Sequence, residues 1–320
     1  MKKLFILILS SFFILFFITP GLMAEQTIPT DGLVVYYPFN GNANDESGNG
    51  IDGTVYNAVL SEDRYGEVDS AYSFDGSNDF IELPLSNSLD ITGEISILFW
   101  MKREAEQALY YPAEKYSYIL RKIGASIVVS LHDNGTIKGF NVSDIVPLQQ
   151  WTHYSFTVDS DGVSRLYKNG DLIDTGTKLL PLSTSANPLR IGKKNGGHYS
   201  YNGDLDEFMI YNRALTECEI KVLSGNVPDS DLDGISDCED NCPDTDSGDI
   251  VDEHGCSALQ LVDETCPIGG VWKNHGEYVS CVAHETQNLC AEGLIGEDLM
   301  GEIVSDAAVS DIGKKNQRKK

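Results

Sequence analysis

Positive charge is scarce in this 320-residue chain: 23 lysines and arginines stand against 49 acids, for a net charge of −26. A surface of that sign repels nucleic acid and anionic lipid and attracts divalent cations, so nucleic acid is excluded as a partner. Cysteine is missing from the first 217 residues; all seven lie beyond. Helical periodicity is nearly absent between residues 31 and 224. After the first two dozen residues no apolar run is long enough to span a bilayer. There is no Gly-x-Ser-x-Gly elbow and no His-Glu-x-x-His helix. The six histidines, His132, His153, His198, His254, His275 and His284, are scattered, and each reads as a surface or packing residue.

The one long apolar run stands at the start. Lys2 and Lys3 precede Leu4–Ile18, and Pro20 and Gly21 break the run before Ala24. This is an export signal over residues 1–24. Leu22 departs from the small residue usual three places before cleavage, which leaves an uncleaved anchor open. No cysteine marks a lipoprotein. Removal takes away two lysines and no acids, so the mature charge is 21 − 49 = −28. The basic tail (Lys314, Lys315, Arg318, Lys319, Lys320) does not reverse that sign. The expected location is secreted, extracellular or cell-surface, where cysteines oxidise.

The most pointed motif is Asp229–Asp240, DSDLDGISDCED, with six acids in twelve residues and no base. Asp229, Asp231 and Asp233 alternate, Gly234 follows, and Asp237 and Asp240 hold the ninth and twelfth places. Calcium loops of the EF-hand type use this spacing: oxygens at 1, 3 and 5, a turning glycine at 6, a carbonyl at 7 (Ile235), then 9 and 12. Carboxylates this close repel one another unless a cation lies among them. A solvated acidic linker is the plainer reading, but alternation plus the glycine favours metal. Position 12 is Asp240 rather than a bidentate glutamate, and flanking amphipathic helices are missing.

The run DSDLDGISDCEDNCPDT, followed by VDEHGCS, resembles a thrombospondin type 3 repeat over about residues 229–257. A dockerin would need two such loops, each followed by a helix. The resemblance implies calcium as the bound ion and a closing Cys242–Cys256 disulfide. Cys218–Cys238 is expected as a tie to the preceding segment. Spacing alone does not give connectivity. Among Cys266, Cys281 and Cys290 one thiol is left over, and a zinc site using these with His284 is the weaker alternative.

Residues 31–224 read as short strands between turns. In WTHYSFTVDSDGVSRLYKNGDLIDTG, apolar Tyr154, Phe156 and Val158 alternate with polar residues. Asp161-Gly162 and Asn169-Gly170 are pairs that accept positive φ in hairpins. Further strands are expected at 33–37, 71–74, 80–83, 95–102, 127–131, 189–192 and 205–211. So many strands imply an all-β, two-sheet antiparallel sandwich. The strings GLVVYYPFNGNANDESGNGIDG, AYSFDGSNDFIELP, ISILFWMK, WTHYSFTVD, LYKNGDLI and GDLDEFMIYNRALTECEI resemble, in order, the laminin G-like, concanavalin A-like jelly roll of bacterial surface proteins. Thr216 and Glu219 form a capping box for a short closing helix.

That resemblance implies a calcium between the DESGNG loop and the last strand, held by Asp45 and Asp206 with backbone oxygens near Gly48–Gly50. A turn-capping Asp45 and an ordinary strand-edge Asp206 are the equal alternative. The same fold carries laminarinase-type hydrolases, whose Glu-x-Asp-x-x-Glu string is absent here, so a non-catalytic module is expected. Tyrosines stack on sugar faces; candidates are Tyr110, Tyr111 and Tyr116, then His198, Tyr199 and Tyr201. Tyr118 reads as core.

Past Cys266 a helical period returns at Tyr278 or Val279, Val282 and Leu289, and again at Leu299, Ile303 and Ala307. Two short helices are expected there. The organisation read from the sequence is a jelly roll over 31–225, a calcium repeat over 229–257, a small helical cysteine-containing module over 262–313, and the tail at 314–320. The function expected is calcium-dependent recognition of carbohydrate or a surface protein in adhesion. The alternatives are a polysaccharide hydrolase and a purely architectural spacer.

Overall fold

The computed structural model describes residues 28–314, apart from 116–117, 124–125, 134–135, 144–145 and 177–179. The segment expected as an export signal, Tyr116 and the tail from Lys315 onward lie outside the described residues. Strands follow in the order β1 (Leu33–Tyr37), β2 (Thr54–Tyr56), β3 (Val59–Ser61), β4 (Ala71–Asp75), β5 (Phe80–Glu82), β6 (Ile95–Arg103), β7 (Leu109–Lys115) and β8 (Tyr118–Ile123). Next come β9 (Ser126–Asp133), β10 (Thr136–Ser143), β11 (Trp151–Val158), β12 (Ser164–Lys168), β13 (Asp171–Gly176), β14 (Arg190–Ile191) and β15 (Asn202–Tyr211). One sheet runs β13-β12-β11-β6-β15-β4-β3, with β1 also on β15; the other runs β10-β9-β8-β7-β14-β5-β2. Neighbouring strands pair antiparallel, as a jelly roll requires.

Turn chemistry sets the register. Asp159 Oδ1 accepts the N–H groups of Asp161 and Val163, and Gly162 takes φ 74°. At the next turn Asn169 and Gly170 both adopt positive φ, 50° and 88°, the pair of angles a tight hairpin needs. Asp75 and Asp79 serve their own turn: Asp79 accepts the N–H of Asp75, and Asp75 that of Ser77.

Between the sheets, Ile97, Phe99, Phe156, Leu205 and Phe208 meet Ile81, Ala113, Leu120 and Ile191 in one buried cluster. Phe208 stacks on Phe99 at 6.1 Å and lies 6.4 Å from Tyr37. The outer face near the end of β15 is covered as well. Leu98, Met209 and Tyr211 pack with Leu215, Ile220 and Leu223 beneath α1 (Glu217–Leu223). Covered on both sides, β6 is buried almost throughout, which is why ISILFWM lacks clean alternation. Thr216 Oγ1 accepts the N–H of Glu219, whose carboxylate returns to the N–H of Thr216, so the helix starts where the capping box directs.

Five strands lie outside the expected ranges: the short β2 and β3, β7, β8 and β10. In β7, Pro112 cannot donate to a ladder. A register shift between Tyr110 and Ala113 absorbs it, and the Pro112 carbonyl accepts the N–H of Gly192. The two helices expected past Cys266 are α3 (His275–Glu292) and α4 (Glu297–Val309), and a further one not expected, α2 (Ala258–Thr265), precedes Cys266. The start of α2, set by a Ser257–Gln260 capping box, puts the expected module boundary at 262 inside a helix. Val262, Tyr278, Val282, Leu289, Ile303 and Ala307 share one small core, while Leu299 turns outward at 43 % exposure. Gly293 closes α3 in the left-handed conformation, and the His275 ring binds the Ile312 and Ala308 carbonyls at 2.8 and 3.0 Å.

Phe208→Ala removes a fully buried ring from between the sheets. The expected loss is about 3–5 kcal/mol of unfolding free energy, read by denaturant titration.

Candidate functional site

The aspartate run is wound by its own side chains. Asp229 accepts the N–H groups of Leu232 and Gly234 at 2.8 and 3.0 Å, and Asp233 Oδ1 accepts that of Ile235 at 2.7 Å. Gly234 takes φ 98°, the conformation that position 6 demands. Asp231 is tied to the Thr245 N–H and Asp240 to that of Cys242. Asp237 spends both oxygens on Ser230, at 2.6 and 2.7 Å, and those hydrogen bonds lower its pKa.

Carboxylate oxygens of Asp229, Asp231 and Asp233 lie within 4.8 Å of one another, while Asp237 and Asp240 stand outside that group. At such a separation each like-charge pair costs about 3 kcal/mol at an effective dielectric of about 20. Asp233 Oδ2 is buried and has no hydrogen-bond partner. It faces Gly255, where a Cβ would come within 3.1 Å of it and would overlap Asp240 Oδ1. Convergent carboxylates with one buried oxygen unsatisfied could hold a hard divalent cation, and the residues fit that group. Cys218 bonds to Cys238, Cys242 to Cys256 and Cys266 to Cys281, with Cα separations of 5.5, 5.0 and 5.9 Å; Cys290 is free.

The jelly-roll carboxylates expected to share an ion have other partners. Asp45 accepts three backbone N–H groups, from Tyr36, Ser47 and Ile51, each at 3.0 Å, and so organises its loop. Asp206 sits at a bulge in β15, where Glu207 takes φ 46° and both acids reach Arg64. Arg64 Nη1 lies 3.2 Å from Asp206 and Nη2 3.0 Å from Glu207. The guanidinium stacks between Tyr65 and Trp100, at 4.3 and 4.7 Å from the ring centroids. A cation therefore already stands at Asp206, and it is an arginine. The pair does not fit calcium, and the expectation for Asp45 and Asp206 is corrected here.

One guanidinium serves two acids, Asp206 buried and Glu207 part-buried. Burial and the Glu207 charge push Asp206 up to about 8, and burial raises Glu207. Burial alone would lower Arg64, but Glu207 and Asp206 raise it. Burial and Arg64 hold the nearby His153 ring down at about 3, hence neutral. Next along β15, Asp204 meets Lys102 at 2.6 Å. Sequence reading missed Arg64 because Glu62, Asp63 and Glu67 around it make the segment look like a solvated acidic loop.

The tyrosine platform divides. Tyr110, Tyr111 and Tyr201 are at most 2 % exposed and offer no ring face to a ligand, which corrects their assignment. Tyr110 and Tyr201 pack at 5.3 Å inside the sandwich, and the Tyr201 hydroxyl donates to Lys102 O at 2.8 Å. Tyr118 is core, as expected, with its hydroxyl on Leu89 O. Tyr199 stays 46 % exposed and His198 is exposed beside it. They sit on the hairpin between β14 and β15.

Residues 75–221 match the model of a laminin G family described as the Concanavalin A-like lectin/glucanases superfamily. Among solved structures, the binding domain of Paraclostridial Mosquitocidal Protein 1 is similar at 20 % identity and TM-score 0.54, over 61 % of this chain and 52 % of that one. The receptor binding domain of botulinum neurotoxin D is similar at 18 % identity and TM-score 0.50, over 61 % and 53 %. This chain thus spans about half the length of the two structures, and at such identity the likeness is one of fold. No curated protein sequence matches the chain.

Two outcomes are expected at Arg64. Arg64→Met leaves Asp206 and Glu207 without their counter-charge and lowers stability by about 3 kcal/mol, read by chemical denaturation. The raised Asp206 pKa means the folded state holds a proton that the unfolded chain releases near pH 4. That contribution is present at low pH and is lost as pH climbs toward 8. Melting temperature should therefore fall less between pH 5 and pH 9 in Asp206→Asn than in the wild type.

Proposed function

We propose that the protein is an exported, calcium-binding recognition protein of several modules. A lectin-like jelly roll over 31–225 is the head, a calcium-loaded spacer of the thrombospondin type 3 kind follows over 229–257, and a small helical module over 262–313 ends in the basic tail at 314–320. Its partner is carbohydrate or another surface protein. The observation that carries the calcium reading is the triad Asp229, Asp231 and Asp233 together with the unsatisfied, buried Asp233 oxygen. Asp237, Asp240 and the Ile235 carbonyl complete the proposed ligand set by adjusting around the ion. Three disulfides are consistent with export.

Recognition rests on the fold, whose family description names lectins, and on the exposed Tyr199 and His198. That description also names glucanases. The non-catalytic reading is supported by the neighbouring acids of β15: Asp206 and Glu207 are spent on Arg64, and Asp204 on Lys102. Carboxylates already held by cations are poorly placed to act as acid and nucleophile on a glycoside.

Calorimetric titration with calcium should release heat, and calcium at about 100 times its dissociation constant should add roughly 2.7 kcal/mol of stability. Chelation reverses the gain, and Asp231→Asn with Asp233→Asn abolishes it. A flat titration with an unchanged melting temperature removes the calcium reading. A glycan array probed with the calcium-loaded protein tests recognition separately.

A further inference from the structure

Basic side chains in this molecule find acids. Lys115 reaches Asp90 at 3.1 Å, Arg190 reaches Glu82 at 2.8 Å and Lys102 reaches Asp204 at 2.6 Å. With 49 acids for 23 bases, that is the expected fate of a lysine. Lys193 and Lys194, just after β14, depart from it. Neither has a carboxylate within the 4.0 Å of an ion pair among the described residues; Lys193 does lie close enough to Asp79 to draw on that acid's charge, whereas nothing comparable faces Lys194. Both ammonium groups lie over aromatic rings instead: Lys194 Nζ is 5.7 Å from the Tyr111 ring and 5.8 Å from that of Tyr199, and Lys193 Nζ is 5.5 Å from Phe80. An acid is close by. Glu114 lies under the same hairpin, but its Oε2 is taken by the Asn195 N–H at 2.8 Å.

The hairpin that carries these lysines is held firmly. Lys193 bridges to Ser200, Lys194 N–H donates to the Tyr199 carbonyl at 3.0 Å, and the Asn195 amide binds the Pro188 carbonyl at 3.0 Å. Buried Tyr111 lies 6.2 Å from Tyr199 and supports it from below, while Tyr199 keeps 46 % of its surface in solvent. A pre-positioned ammonium with free donors beside an exposed ring is a two-part receptor. The ring takes an apolar face and the ammonium takes an anion. Because the molecule as a whole repels anions, an acidic ligand can settle only where its charge is met locally.

We infer that the Lys193–Ser200 hairpin binds a saccharide through an anionic substituent, carboxylate or sulfate, which Lys194 and Lys193 receive while Tyr199 stacks on the sugar ring. The inference rests on the carbohydrate-binding reading above and adds the ligand class and the contact residues. The test applies the full-length, calcium-loaded protein to an array of matched neutral, uronate-bearing, sialylated and sulfated glycans. Lys193→Ala/Lys194→Ala and Tyr199→Ala variants follow, each checked for an unchanged melting temperature. Acidic glycans should be retained and their neutral counterparts not, and the uronate and sulfate arms identify the anion. The double lysine variant should lose about tenfold in affinity, and binding should weaken as NaCl rises through about 0.15 M. Equal binding of neutral glycans, or affinity indifferent to both salt and the lysines, overturns this inference and leaves general glycan recognition standing. Silence across the whole array overturns both.

Discussion

A carboxylate is buried at low cost only if positive charge, hydrogen-bond donors or a proton travel with it, and in so acidic a chain that constraint organises the structure. Each acid of β15 has its base: Arg64 for Asp206 and Glu207, Lys102 for Asp204. Glu114 is met by a backbone N–H and Asp45 by three of them. Asp229, Asp231 and Asp233 converge instead with no ion-paired base among the described residues, and there the proposed calcium would do the work of arginine. Under the calcium proposal, the jelly roll carries its counter-ions covalently while the Asp229–Asp240 run would recruit them. β15 makes the division visible, because it pairs with β1, β4 and β6 while presenting its acids to the loop that bears Arg64.

Much of this was legible in the sequence. Asp161-Gly162 and Asn169-Gly170 state their turns outright, since few other pairs tolerate those angles. Tyr154, Phe156 and Val158 face the core as their alternation says. Thr216 and Glu219 announce the helix that closes the sandwich. Other features were hidden for definable reasons. Pro112 disguised β7 as a loop, because the bulge that accommodates it leaves no local mark. Consequently Tyr110 and Tyr111 looked like loop aromatics when they are buried strand residues. Covering both faces of β7 erases the alternation that would have identified it, and its seven residues are nearly all buried.

The acidic sites show the same limit. Alternation of Asp229, Asp231 and Asp233 is a local pattern, and the three do converge. Asp206 depends on Arg64, 142 residues away, and on a bulge whose only outward sign is a positive φ at Glu207. No spacing rule reaches across that distance. Lys194 is subtler still. It becomes notable only when its neighbours' partners are known, because what distinguishes it is a missing contact.

The cross-links also decide how the chain would carry tension. A pull applied at the C-terminal helices and resisted by the sandwich follows the stiffest path. At Cys218 that path leaves the backbone and re-enters it at Cys238, 20 residues on; it jumps again from Cys242 to Cys256 and from Cys266 to Cys281. Asp229, Asp231, Asp233 and Asp237 all hang in the first slack loop. Whatever holds them together is thereby spared mechanical load, and the tether can be hauled taut without prying that cluster apart.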